Sequence, residues 1–398
     1  MTRHSDRIAA EYDVIVVGAR CAGSATARLL ALQGHRVLVV DRAHPSAGRV
    51  PPAGNIVTPG AYLMREWGLL DELVARGCPP VRGQKIHAGG QLMESTAGGA
   101  GGVDAMYVAD HAVLDPLLCE AAEEAGAEVR IGVRVRDLMQ EDGKVVGIDA
   151  TGGDGERVQV RAPLVVGADG KHSLVARAAG AATYRERTAG QCAFHAFWSG
   201  TGHRDVEVFI ADRRVCIVFP THNDQAWVVC ARPMAEWDVF KADHVAEYHR
   251  QIGEFPELAA AMGGARLEGR YHGNGDLDGF FRAAAGPGWA LVGDAGHTKD
   301  PGPGRGISDA FMQADLLAEA ADDALRGRRS WDEALAEFGR ARDEWAVPIY
   351  DVTHDMAEHP PLEKAGELAA AMGAATAQQM DWLIARIESR RPALAAQA

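Results

Sequence analysis

"YDVIVVGARCAGSATARLLALQGHRVLVVD", residues 12–41, sets the frame for the whole chain. Its first six residues are a β-rich run ending at Gly18. Ala25, Leu29 and Leu32 then recur at helical spacing, with Gly34 as the helix stop. HRVLVVD (35–41) is a second apolar run. Strand, turn, helix and strand in about 30 residues form a dinucleotide-binding βαβ unit. The turn departs from G-x-G-x-x-G: Gly18 and Gly23 are present, but Arg20 takes the middle place. Gly18 makes the tight turn and Gly23 lets helix and sheet approach. Arg20 gives up close backbone approach and brings a cation toward the expected phosphates. Asp41, at the end of the second strand, stands where a carboxylate accepts hydrogen bonds from a ribose diol and repels a 2′-phosphate. Cys21, Ala22 and Arg42 complete the candidate cofactor contacts in this unit.

The 398 residues suggest two domains or one composite. A formal charge of −14 argues against a sequence-independent grip on nucleic acid and against an anionic membrane surface. Six cysteines lie at 21, 78, 119, 192, 216 and 230 with no C-x-x-C pair, so no metal site is expected. The first residues lack an apolar signal core, and no run reaches the roughly 18 residues of a membrane span. The expectation is a cytoplasmic protein acting on a small molecule; its oligomeric state is left open.

Further along, short helices are expected at 59–67 and 69–76, a glycine-rich loop at 96–102, and a helix at 112–125. Strands with turn signals from 128 to 168 read as a β-meander. Alternating runs between 183 and 285, with a helical patch at 242–262, read as a sheet. A buried strand at 288–296, a long helix at about 306–326, and a helix capped by Ser330 and Glu333 follow. The expected fold is α/β: a discontinuous Rossmann-like nucleotide domain (10–182 and 286–330), an inserted β-sheet substrate domain (183–285) and C-terminal helices (331–398).

Two distant motifs name the nucleotide. GADGKHSLVAR (167–177) resembles the D-G-x-x-S-x-x-R stretch of flavoprotein hydroxylases. ALVGDAGHTKDPGPGRGISDAFMQADLLAEA (290–320) resembles the G-D-A-x-H-x-x-x-P-x-x-G-x-G signature of FAD-dependent aromatic hydroxylases. Gly293, Asp294, Ala295, His297, Pro301, Gly304 and Gly306 match it. The chain thus resembles the FAD-dependent monooxygenase superfamily of the para-hydroxybenzoate hydroxylase type, which includes geranylgeranyl-reductase-like and halogenase-like members. The resemblance implies FAD, with Asp294 on its ribityl chain, Asp169 nearby, and the segment through Gly304, Gly306 and Ile307 leading a helix N-terminus toward the flavin pyrimidine.

The departures are specific. His111 stands where relatives carry an arginine that touches the cofactor. Ser308 replaces a common asparagine and is expected to cap the helix. Arg305 adds a cation, read either as a charge at the flavin rim or substrate anion, or as a solvated side chain. VCIVFPT (215–221) keeps only Phe219 and Pro220 of the reductase pattern Y-x-W-x-F-P, and no tryptophans are spaced i, i+2, which disfavours halogenase chemistry. With no second glycine loop, NADH or NADPH is expected to dock transiently. The implied activity is an NAD(P)H-dependent single-component monooxygenase of a small apolar cyclic, aromatic or polyketide-like compound. The alternatives are an FAD-dependent reductase without oxygen insertion and a non-enzymatic flavoprotein. Arg305, Pro301 and His195 are the catalytic candidates, with His222 and His272 as further options.

Overall fold

A computed structural model describes residues 8–44, 53–96, 99–153 and 155–395, with side chains at 362 and 391–395 left aside. Residues 97, 98 and 154, in two of the expected turns, lie outside the described residues, as do the first seven. A six-stranded sheet holds Ala285–Gly286, Trp289–Leu291, Leu164–Gly167, Val14–Val17, Val37–Asp41 and Glu128–Ile131, in that order. All its pairs are parallel except the first.

The apolar run 14–17 is buried on both faces, as a covered parallel sheet requires. Val14 and Val16 pack in one core with the helices Cys21–Leu32, His111–Glu124 and Gly306–Leu325. Ile15 and Val17 pack in another with a three-stranded antiparallel layer, Arg134–Glu141, Lys144–Thr151 and Arg157–Arg161. The expected meander over 128–168 is therefore split. Its outer runs, EVRI and LVVG, join the nucleotide sheet because each finds a parallel partner there.

A seven-stranded sheet runs Arg266–Asn274, Gln191–Ser199, Gln225–Pro233, Arg214–Pro220, Val206–Ala211, Gly83–Ala88 and Gln91–Thr96. The last two strands come from upstream of the segment expected to build it. Gly83–Ala88 pairs in parallel with Val206–Ala211, a contact between strands more than a hundred residues apart. Gln191–Ser199 alternates as its sequence implies: Cys192, Phe194, Ala196 and Trp198 share a core with Phe240, Tyr248 and Leu258 of the overlying helices.

The helix Gly306–Leu325 is buried along most of its length. The next, Trp331–Ala357, begins with the expected capping box: Ser330 and Glu333 each accept from the other's backbone amide. The final helix, Leu362–Ala395, is tied back to Gly306–Leu325 by ion pairs from Arg386 to Glu319 and from Arg390 to Asp315 at 2.5 Å. Among the described residues, no helix is long and apolar enough to cross a membrane.

Candidate active site

One continuous cavity of about 2850 Å³ runs from the glycine turn, along Gly306–Leu325, to the seven-stranded sheet and the final helix. This is several times the roughly 300–1,000 Å³ typical of a site for one small ligand.

The glycine turn is built by close approach. Gly18 has φ +113°, and a Cβ there would lie 2.3 Å from the Ala168 carbonyl oxygen. A Cβ on Gly23 would lie 1.8 Å from the Gly18 carbonyl oxygen. Arg20, by contrast, has φ −104° and ψ −166°, an extended conformation open to any residue, at the N-cap of Cys21–Leu32. The middle glycine is thus dispensable to the fold of this turn. Arg20 Nε lies 3.5 Å from buried Asp115 Oδ2. Asp115 Oδ1 accepts from Cys21 Sγ at 3.2 Å and lies 3.2 Å from His111 Nδ1. Burial and the neighbouring carboxylate hold the Cys21 thiol well above its usual pKa. Although Cys21, His111 and Asp115 bring ligand-type atoms within 4.8 Å of one another, the adjacent guanidinium and the protonated thiol make this a hydrogen-bonded brace under the turn. Arg20, Cys21, Ala22, Arg42 and His111 all line the cavity.

Asp41 Oδ2 accepts the Ala19 amide and Oδ1 the Ala43 amide, each at 3.0 Å. These bonds fix the carboxylate at the sheet's C-terminal edge with lone pairs to spare. Asp169 lines the cavity but is already occupied. It accepts the Leu174 amide at 2.7 Å and the Ser173 hydroxyl, while Ser173 accepts the Ala176 amide at 2.9 Å. The DGxxS motif is therefore a double cap of Leu174–Ala178.

The third motif crosses the cavity. Asp294 lines it and is exposed there, open to a ligand. Gly304 has φ +67°, and a Cβ there would meet Asn55 at 2.8 Å. A Cβ on Gly306 would meet nothing within 4 Å, so no protein atom accounts for that glycine. Ile307 and Pro301 line the same wall. Ser308 differs from its expected role as a cap: its hydroxyl accepts the Val57 amide at 3.0 Å and pins the N-terminus of the helix Thr58–Glu66 to Gly306–Leu325. Arg305 is the N-cap residue and is only 4% exposed, which removes the solvated reading. Its guanidinium donates to Thr376 Oγ1 at 2.9 Å and to Gln379 Oε1, both on the final helix.

His195 lines the cavity, stands edge-on to Trp227 and stacks on His272. Burial, then His272, lowers its pKa to about 4, so it is neutral at neutral pH. His222 is engaged elsewhere, with Nδ1 accepting the Asp110 amide at 3.3 Å.

Asp300 is a site residue that none of the three motifs marks. It lines the cavity at 2% exposure, and its Oδ1 accepts from Gln191 Nε2 at 2.6 Å and the Gly302 amide at 2.9 Å. Its Oδ2 has no partner, and burial raises its pKa to about 6. Neighbouring Lys299 pairs instead with Asp309. The polar run HTKDP, directly after a buried strand, was the available signal.

The donor set fits a flavin dinucleotide. Asn55 Oδ1, Asp309 Oδ1 and both polar atoms of Gln313 are buried without partners in the cavity wall. Buried polar atoms are rarely left so, and a polar ligand along Gly306–Leu325 would engage them.

The family model described as FAD binding domain matches residues 11–262. A digeranylgeranylglycerophospholipid reductase of Methanocella arvoryzae is 28% identical over 403 aligned positions, covering 96% of this chain and 97% of that protein. Among solved structures, the myxobacterial chondrochloren halogenase CndH superposes with a TM-score of 0.79 at 21% identity, over 92% of this chain and 90% of its own. PqsL of Pseudomonas aeruginosa, described as a probable FAD-dependent monooxygenase, gives 0.75 at 23% identity, over 91% and 100%. At these identities the two structures establish a shared fold.

Proposed function

The chain belongs to the FAD-binding domain family, and from that premise we propose an NAD(P)H-dependent, single-component monooxygenase of a small, largely apolar cyclic, aromatic or polyketide-like compound. When bound, FAD supplies the two-electron redox chemistry. Asp41 would accept from the ribose of its ADP half, and the turn from Gly18 to Gly23 would take the pyrophosphate at the start of Cys21–Leu32. Asp294 would hold the ribityl chain, and the free amides at Gly306 and Ile307 would favour negative charge on the pyrimidine side.

The observation that carries the reading is the continuity of the cavity: its nucleotide end opens into a chamber walled by Ile86, Val208, Ile217, Phe219, Trp227 and Val229. Such a wall suits an apolar substrate. Val215 and Ile217 face this chamber where the lipid reductase pattern has aromatic rings. Among the described residues, one glycine-turn βαβ unit is present, so the nicotinamide of this proposal would dock without a fold of its own.

The full-length match to the Methanocella reductase favours a second reading, reduction of a double bond without oxygen insertion. Turnover under ¹⁸O₂ separates them. The monooxygenase reading predicts one labelled oxygen per product and no turnover without oxygen. Unlabelled product with undiminished anaerobic turnover would establish the reductase.

A further inference from the structure

We propose that the chamber binds an elongated, mostly apolar molecule carrying one acidic group, with its body along the final helix and its anion on Arg305. This rests on the oxidoreductase reading above and specifies its substrate class. Ala365, Ala369, Met372, Gly373, Thr376 and Ala377 line the cavity at intervals that place them on one helical face. From 365 to 377 that face extends about 18 Å.

Gly373 and its neighbour in the wall, Gly366, are the telling residues. Both sit inside a helix, where glycine is unfavourable. Neither has positive φ, and a Cβ on either would meet no atom within 4 Å. Neither the backbone nor the surrounding protein requires a glycine there. Both are exposed where the helix lines the cavity, and a ligand lying against it would account for them.

Arg305 stands by this face, bonded to Thr376. Its other partner, Gln379, is also neutral, and its Nε has none. Among the described residues it makes no ion pair. The carboxylate that acts on it from a distance, Asp309, is taken by Lys299. A guanidinium so deeply buried without a counter-ion is unfavourable unless a ligand supplies one. A carboxylate, phenolate or enolate on the substrate has that chemistry. The pyrimidine edge of reduced flavin has it too, so the test must distinguish the two sources.

Calorimetry on the FAD-saturated protein with 4-biphenylcarboxylate and 4-biphenylcarboxamide needs no turnover, so it stands apart from the oxygen-label result. The acid is expected to bind at least tenfold tighter than the amide. Arg305→Gln should bring the two within twofold, Arg305→Lys should keep the preference, and Gly373→Leu should weaken both. Melting curves and flavin stoichiometry identify any variant that fails to fold; Arg305→Met, which fills the same space without the charge, then carries the test and should also bring the two probes within twofold. Equal affinities in the wild type, binding of neither probe, or a preference that survives Arg305→Gln overturns the proposal. Survival of the preference together with a lowered flavin potential in Arg305→Gln would reassign the guanidinium to the flavin.

Discussion

Gly23→Ala is expected to abolish stable FAD binding and to destabilise the protein severely. The new methyl carbon would lie 1.8 Å from the Gly18 carbonyl oxygen and 3.1 Å from Ala168 Cβ. Both neighbours belong to fixed elements: Gly18 donates its amide to Val40 at 2.8 Å, and Ala168 donates to Val17 at 2.8 Å. The helix Cys21–Leu32 must therefore lift from the sheet, opening the core that contains Val14, Val16, Ala25 and Leu30. Overpacking of a close-packed core costs about 1–3 kcal/mol, and backbone obstruction places this case at the upper end or beyond. Gly306→Ala supplies the contrast. Its methyl group has open space on the protein side, so FAD-free stability should be unchanged while FAD affinity falls. Urea melts with and without FAD check both. A Gly23→Ala protein that melts and binds FAD like the wild type would contradict the packing described for the turn.

Asp300→Asn should stabilise the FAD-free protein at neutral and alkaline pH. Burial raises the Asp300 pKa from 3.8 to about 6, so the folded state holds that proton more tightly than the unfolded state. The sign follows: ionisation of Asp300 costs stability as pH rises from 3.8 toward 6, and the cost is complete above 6. A shift of that size corresponds to at most about 3 kcal/mol. Asparagine keeps an oxygen for the Gln191 and Gly302 donors and removes the unpaired charge. The gain should be largest near pH 8, about half as large at pH 5, and absent in stronger acid. A gain independent of pH, or a loss at pH 8, would show that the buried carboxylate is compensated in a way the hydrogen bonds do not reveal.

What could be read in the sequence was local. The strand-turn-helix-strand at 12–41 follows from buried apolar runs punctuated by glycine, and the Ser330–Glu333 box from two side chains three residues apart. The outward and inward faces of Gln191–Ser199 follow from simple alternation, and they place His195 in the cavity. The three motifs carried the nucleotide assignment because each joins a strand end to a helix start, where a chain must turn and where a phosphate can bind.

What could not be read depends on partners distant in the chain. Nothing within 83–96 signals that these strands extend the second sheet, because the pairing partner begins at Val206. The charge on Arg305 was visible, but its environment is set by Thr376 and Gln379, some seventy residues later. Ser308 was expected to cap its own helix, yet Val57, from a loop 251 residues earlier, takes its hydroxyl. Asp300 looked like one polar residue in a loop; its unpaired oxygen and its shifted pKa come from enclosure alone.

Titration of the flavin-stripped protein with FAD, followed by the flavin's visible absorbance, tests the central claim most directly when run beside Asp41→Ala and Asp294→Ala. The account predicts one FAD per chain for the wild type. It predicts affinity at least about tenfold weaker in each variant, the loss expected when a hydrogen bond from a ligand to a carboxylate is removed. Wild-type affinity in both variants would contradict the placement of FAD in this cavity.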